Sequence, residues 1–255
     1  MRLRSETALD SFRTSIRKFV ISQAGRARCS PHPSRNFPIH YNRPRMDAAR
    51  IVDLLGPFLD SREDYDRARS LAPSISTYID MLLRWNARMN LTAIREPEQI
   101  ITRHFGESFF AARHLFPATS SEAALIGPST AMAVKFKNLA DLGSGAGFPG
   151  IPIAILRPDL DVTLIESHQR KGVFLREVSS GIDNIRVFSG RAETLRRPLD
   201  WVVARAVLPA NVLSLNLAPN CALLVSRSAV SPESQVIAIP WGRDRVIHVP
   251  RGAAL

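Results

Sequence analysis

Cysteine is nearly absent: Cys29 and Cys221 are the only two in 255 residues. They leave no framework of disulfides and no Cys-rich metal site, a pattern that suits a reducing compartment. No uninterrupted apolar run approaches the roughly 20 residues that a membrane span needs, which excludes a membrane-spanning chain. Glycine, at 13 residues, is too sparse for a collagen-like repeat. Acidic residues are the minority, 23 against 34 Lys and Arg, for a formal net charge of +11. Apolar residues are abundant, 45% of the chain. A chain of this length buries roughly 70–75% of its unfolded surface without staples.

An excess of base invites a nucleic-acid reading, so its location matters. Residues 1–45 hold ten Lys and Arg against Glu6 and Asp10, and the remaining 210 residues carry only +3. The basicity is mostly that of the N-terminus. That segment contains Pro31, Pro33, Pro38 and Pro44 and loses apolar periodicity from Gly25 onward, which predicts a disordered extension. A start at Met46, a targeting segment and a basic arm for RNA are the alternatives for it. The +3 of the body predicts a local basic patch, with Arg103 and Arg205 as members.

Past Met46, the residues Ile51, Leu54, Leu55 and Phe58 recur at helical spacing. Ile75, Ile79, Leu82, Leu83 and Met89 predict a second helix over 74–89 with Ser74 as its cap, and Ile101 to Leu115 a third over 98–116, stopped by Pro117. Residues 118–130 read as a linker. From 138 the rhythm changes to short apolar strands at 139–142, 162–166, 185–188, 201–204 and 221–225, with a helix-like run at 169–179. Segments 236–239 and 246–249 predict a terminal antiparallel hairpin. The expected fold is therefore α/β, a mostly parallel doubly wound sheet of Rossmann-like type preceded by N-terminal helices. The expected division is an extension over 1–45, a helical region with linker over 46–137 and a ligand-binding domain over 138–255.

The segment Asp141-Leu142-Gly143-Ser144-Gly145-Ala146-Gly147-Phe148-Pro149-Gly150 joins a strand end to a helix start. Three alternate glycines let the backbone turn tightly and approach a ligand. The dinucleotide spacing G-x-G-x-x-G is not met, because Phe148 holds the sixth position. A glycine turn alone is weak evidence, since a tight loop that binds nothing has the same composition. Glu166, however, closes the next strand, where a carboxylate accepts hydrogen bonds from both hydroxyls of a ribose. Asp141 adds a second carboxylate at the strand edge. A cofactor carrying a sulfonium and an ammonium group matches that edge better than a pyrophosphate does, which favours S-adenosylmethionine over NAD.

Asp141 to Pro152 fits the pattern D-x-G-[ST]-G-x-G-[FL]-P-G-[IL]-P throughout. With Trp85-Asn86, Asn90-Leu91-Thr92, Arg103-His104 and Ser108, Arg191-Ala192-Glu193 and Ala204-Arg205-Ala206, it resembles the RsmG/GidB family of bacterial small-subunit ribosomal RNA methyltransferases over residues 46–226. The resemblance implies a S-adenosylmethionine-dependent methyltransferase fold and methylation of guanine N7 in 16S ribosomal RNA. It implies that the backbone at Gly143 and Phe148 lines the cofactor site, that Ala192 and Glu193 meet the adenine, and that Arg205 borders the pocket. Asp141, Gly145 and Glu166 complete the cofactor set. Arg103, His104 and Arg205 are candidates for RNA contact, against the alternatives of a core pair for the first two and an ion pair with Asp141 or Glu166 for Arg205. Trp85, Asn86 and Asn90 are expected to brace the N-terminal helices.

N7 of guanine carries an in-plane lone pair and no proton, so no general base is compulsory and no catalytic residue is assigned. The chain has no N-P-P-Y motif, and Cys221 lies in a buried strand pattern, unsuited to attack on cytosine. Two features depart from the family. Glu107 stands where many members have Asp, and Ser226-Arg227-Ser228 replaces the usual Lys-Gly after the fifth strand. The expected partner is 16S ribosomal RNA or the small subunit, with no membrane, no metal, a monomeric state and a cytoplasmic location. The rival readings are a methyltransferase with another substrate and a non-catalytic RNA-binding protein. Removing residues 1–45 is expected to leave methyl transfer intact; a large loss of RNA affinity in that truncation would restore the arm.

Overall fold

The computed structural model describes residues 45–59, 61–117, 138–242 and 244–250. The linker at 118–130 and the basic extension, Arg45 excepted, lie outside the described residues. Helix α1 (Ala48–Leu55) runs into a tight 3-10 turn at Gly56–Phe58, and α2 spans Arg62–Asn86. Next comes a helical rod in three parts: α3 (Pro97–Ile100), a π-helical turn (Ile101–Gly106) and α4 (Glu107–Leu115). The sheet region follows as β1 (Asn138–Leu142), α5 (Gly150–Leu156), β2 (Asp161–Ile165), α6 (Gln169–Val178) and β3 (Ile185–Phe188). A 3-10 turn (Ala192–Thr194), β4 (Trp201–Arg205), α7 (Pro209–Ser214), β5 (Asn220–Ser226), β6 (Val236–Ala238) and β7 (Arg245–His248) complete it.

The seven strands lie in the order β3-β2-β1-β4-β5-β7-β6. The first five are parallel, and β7 pairs antiparallel with both β5 and β6. This is the expected doubly wound sheet with its terminal hairpin. The chain's direction across the sheet reverses between β1 and β4, the place where such folds open a crevice at the carboxyl ends of their strands.

Strand periodicity divides the core in two. Leu139, Trp201, Val203, Ala222 and Leu224 face one layer, which they share with the N-terminal helices, α5 and α6. Ala140, Leu142, Val202, Ala204, Leu223 and Val225 face the other, with Ala192 and Val212. Both faces of β1, β2, β4 and β5 are covered, which explains why these strands read as continuous apolar runs.

Helix α2 corrects the expected boundary. Its cap is Ser61, whose Oγ accepts a hydrogen bond from the Asp64 amide at 3.1 Å, and Ser74 is buried in mid-helix. Pro73 sits inside the helix. Of the expected brace, Asn86 is central: its Nδ2 donates to the Thr92 carbonyl at 2.9 Å and its Oδ1 accepts from the amides of Leu91 and Thr92 at 2.8 and 3.1 Å. Trp85 packs edge-on against Phe174 of α6, at a ring separation of 5.8 Å. Asn90 is exposed and stands outside the brace.

Gly106 lets the rod approach the first turn closely. A Cβ there would lie 2.5–2.7 Å from three ring carbons of Phe58, a ring only 3% exposed and packed on Trp241. Gly106→Ala is therefore expected to cost about 1–3 kcal/mol by overpacking, a fall in Tm of roughly 3–10 °C. A melt unchanged from wild type would show that Phe58 yields. Among the described residues, no helix is long and apolar enough to cross a membrane, and no group of three His, Cys, Asp or Glu is placed to hold a metal.

Candidate functional site

The turn after β1 is built on backbone that only glycine adopts freely. Gly143, Gly145 and Gly147 have φ of +70°, +53° and +89°. The turn is pinned to β2, because the amides of Gly143 and Ser144 both donate to the Ile165 carbonyl, at 2.9 and 3.0 Å. From α2, the Tyr78 hydroxyl donates to the Ala146 carbonyl at 2.5 Å. Burial and the nearby Asp141 charge hold that phenol well above its ordinary pKa, so it stays a donor. The glycines have different surroundings. A Cβ on Gly147 would strike Ile151 and the Tyr78 hydroxyl at 2.5–2.6 Å, whereas one on Gly145 would meet nothing nearer than the Gly143 carbonyl at 3.7 Å. Gly145 thus faces open space.

Two carboxylates are fixed around the turn. Glu166 is buried, and its two oxygens accept from the Gly145 amide at 3.0 Å and the His168 amide at 2.8 Å. The carboxylate is thereby fixed to the turn at the carboxyl end of β2. Asp141 is fully buried; its Oδ2 accepts from the Gly150 amide at 3.0 Å, while Oδ1 is buried with no partner among the described residues. Burial pushes the Asp141 carboxyl up to about 7, with the Glu166 charge adding to the shift; the Gly150 amide, the Ser144 hydroxyl and Arg205 oppose it. A buried carboxylate oxygen without a partner is one that a cationic donor would satisfy.

Ala192 is buried and opens the 3-10 turn beyond β3; the adjoining Glu193 is exposed. Phe148 is buried on the opposite face, with its ring stacked on His104 at 4.7 Å and edge-on to Phe105 at 5.1 Å. The π-helical turn carrying Arg103 and His104 therefore packs directly on the glycine turn. Arg103 is exposed. His104 shares a 2.8 Å hydrogen bond with the Thr92 hydroxyl, and its Nδ1 is buried without a partner among the described residues. Burial, then the charges of Arg205, Arg103 and Arg245, depress its pKa to about 2, so the imidazole is neutral.

Arg205 ends β4. Its Nη1 donates to the Arg103 carbonyl at 2.6 Å and its Nη2 lies 3.3 Å from Glu107 Oε2. Burial lowers its pKa to about 10, still fully charged near neutrality. The alternative of an ion pair with Asp141 or Glu166 gives way to one with Glu107, because the rod lays Glu107 across the end of β4. Arg103 and Arg205 are neighbours through the Arg103 backbone carbonyl; the Arg103 side chain is exposed, while that of Arg205 is largely buried against Glu107. Cys221 is half-buried, its thiol pushed up to about 11 by burial, and so protonated and unreactive.

Sequence reasoning missed Tyr78 and Arg245. Tyr78 lies three residues beyond Ile75 and four before Leu82, inside the apolar stripe, so its spacing was the available signal. Arg245, whose Nε lies 3.5 Å from Glu107 Oε2, carried no local signal at all.

The family model described as rRNA small subunit methyltransferase G matches residues 72–220. A Ribosomal RNA small subunit methyltransferase G of Xanthomonas campestris pv. campestris (strain B100) is 33% identical over 204 residues, covering 77% of this chain and 87% of the relative. A protein of the same description from Stenotrophomonas maltophilia (strain K279a) is 38% identical over 181 residues, covering 68% of this chain and 76% of its own. Among solved structures, a SAM dependent methyltransferase from Aquifex aeolicus is 14% identical with a TM-score of 0.34, covering 45% of this chain and 82% of that one.

Proposed function

The chain belongs to the ribosomal RNA small subunit methyltransferase G family, and from that premise we propose that it methylates N7 of a guanine in 16S ribosomal RNA, with S-adenosylmethionine as donor. The observation that carries the cofactor part is the turn at the switch point: open backbone at Gly145, whose amide the fixed Glu166 carboxylate holds, in the turn that follows the buried Asp141. Asp141 would hold the ammonium end and Glu166 the ribose hydroxyls. Ala192 offers a flat apolar contact to the adenine beside Glu193, and the backbone at Gly143 and Phe148 closes the turn around the ligand. When bound, the cofactor supplies a methyl group activated by a positive sulfonium.

The chain's own task is then alignment. N7 attacks with a lone pair and loses no proton, so the site needs a positioned base more than a proton acceptor. His104 is neutral and buried, the Cys221 thiol is held protonated, and neither serves as a base or nucleophile near neutral pH. Arg103 and Arg205 supply positive charge on the substrate side, suited to the RNA backbone. The substrate is the RNA free or within the small subunit, and the protein acts in the cytoplasm as a monomer. No side chain is assigned a chemical role in the transfer beyond holding the reactants in line.

Incubation with methyl-labelled S-adenosylmethionine and under-methylated small subunits, in parallel with naked 16S RNA, tests the proposal. Label at N7 of a single guanine is expected. Label on protein or small molecules but never on RNA, or at another atom of the RNA, would overturn it.

A further inference from the structure

We propose that Glu107 and Arg245 are positioning residues for methyl transfer, locking Arg205 and through it the π-helical turn that carries Arg103 and His104 over the cofactor turn. The inference rests on the methyltransferase reading above for its kinetic part. Its structural part stands on contacts alone.

Three elements distant in sequence converge on one carboxylate. Glu107, at the start of α4, is 2% exposed; Arg205 comes from the end of β4 and Arg245 from the start of β7, with side chains only 11% and 19% exposed. Both guanidinium groups approach the same oxygen, at 3.3 and 3.5 Å, as ion pairs by distance without hydrogen-bond geometry. Arg245 also donates from Nη2 to the Leu224 carbonyl at 3.1 Å, and Leu224 is the register partner of Arg205. The hairpin thus reaches across β5 to the row occupied by Arg205. Through Nη1, Arg205 then ties the Arg103 carbonyl, and the next residue, His104, stacks on Phe148 with an interplanar angle of 17°.

A buried Arg-Glu-Arg cluster is a poor way to gain stability, because three ions must be stripped of water and one positive charge is left over. What it supplies is geometry. Arg205 is held in one orientation, and with it the backbone of a π-helical turn, a helical form that is rare and concentrated at functional sites. A displacement of about 1 Å in a group that aligns reactants is enough to lower a rate by about 100-fold.

Glu107→Gln, Glu107→Asp and Arg245→Met test this in the full chain. Glu107→Gln is expected to lower kcat about 30-fold at saturating cofactor, to leave cofactor Kd within about threefold, and to speed amide hydrogen exchange selectively over residues 101–108. Glu107→Asp keeps the charge and is expected to recover most of the rate. Arg245→Met is expected to lower kcat about tenfold, and the double variant Glu107→Gln with Arg245→Met to be no worse than Glu107→Gln alone, since both break one network. Wild-type kcat in folded Glu107→Gln, a loss that Glu107→Asp does not recover, or a parallel fall in Tm, cofactor affinity and kcat would overturn the proposal. If Glu107→Gln fails to fold, Arg245→Met decides by the same criteria. A wild-type protein that transfers no methyl to RNA would sink the methyltransferase reading instead, and the exchange pattern at 101–108 would still judge the lock.

Discussion

Gly145→Asp is expected to yield a folded protein that no longer binds S-adenosylmethionine, with Kd raised more than about 1000-fold and methyl transfer below detection. Loss of ligand volume and of charge complementarity act together here. At φ +53° the residue sits in left-handed backbone, which Asp tolerates better than most side chains, so strain is held to about 1–2 kcal/mol. A Cβ there meets only the Gly143 carbonyl at 3.7 Å, so no neighbour must move. The new carboxylate instead enters the space beside Glu166, whose oxygen already accepts the Gly145 amide, and adds a third acid to the two that flank the turn. Gly147 is the control. Its Cβ would strike the buried Tyr78 hydroxyl and Ile151, so Gly147→Ala should lower Tm as well as affinity. Titration calorimetry with thermal melts separates the two variants. A folded Gly145→Asp that binds with wild-type affinity would overturn the placement of the cofactor.

The contrast between these glycines indicates what a sequence conceals. Spacing put Gly143, Gly145 and Gly147 on one turn and led to Glu166 twenty-one residues beyond Gly145, and those contacts are local to two adjacent parallel strands. Strand periodicity was equally legible: β3 occupies Ile185–Phe188 as expected, and the other strands differ from expectation by at most one residue at either end. Helix α2 was misjudged because Pro73, without an amide hydrogen, reads as a helix boundary. Its first turns, capped by Ser61 and rich in charge, carry only a faint apolar stripe. The Glu107 network was invisible for a different reason. Its members lie 98 and 138 residues apart, and nothing in the spacing of an acid and two arginines specifies which will meet. Topology decides it: β7 inserts between β5 and β6, and the π-helical turn lays the rod across the end of β4. Arg205 was recognised as a strand-end arginine, yet its partner could be named only once the rod was in place.

Asp141 leads to the second large effect. Its carboxyl titrates at about 7 in the folded chain against 3.8 for the ordinary side chain, with burial as the main cause. For folding, the sign follows from linkage. Below 3.8 both states hold the proton and the group contributes nothing; as pH rises from 3.8 towards 7, the folded state is progressively disfavoured, and above 7 the burial of the charge is felt in full. For binding, the sign is reversed, because a cationic ammonium favours the ionised carboxylate. Below about 7 a proton must leave Asp141 when the ligand enters, so Kd should rise about tenfold per unit of pH as the solution is taken down to 5. The ligand's own ammonium remains protonated throughout that range, titrating near 7.7–8.0 as α-amino groups do. Asp141→Asn removes both effects at once. It is expected to weaken binding about 100- to 1000-fold at pH 7 through loss of a buried charge partner, to flatten the pH profile, and to raise Tm above pH 7 because an uncharged amide replaces a buried carboxylate. Calorimetry in buffers of different ionisation heat reads the proton released on binding. A wild-type affinity that does not change between pH 5 and 7, with no proton released, would show that the orphaned oxygen of Asp141 does not meet the cation.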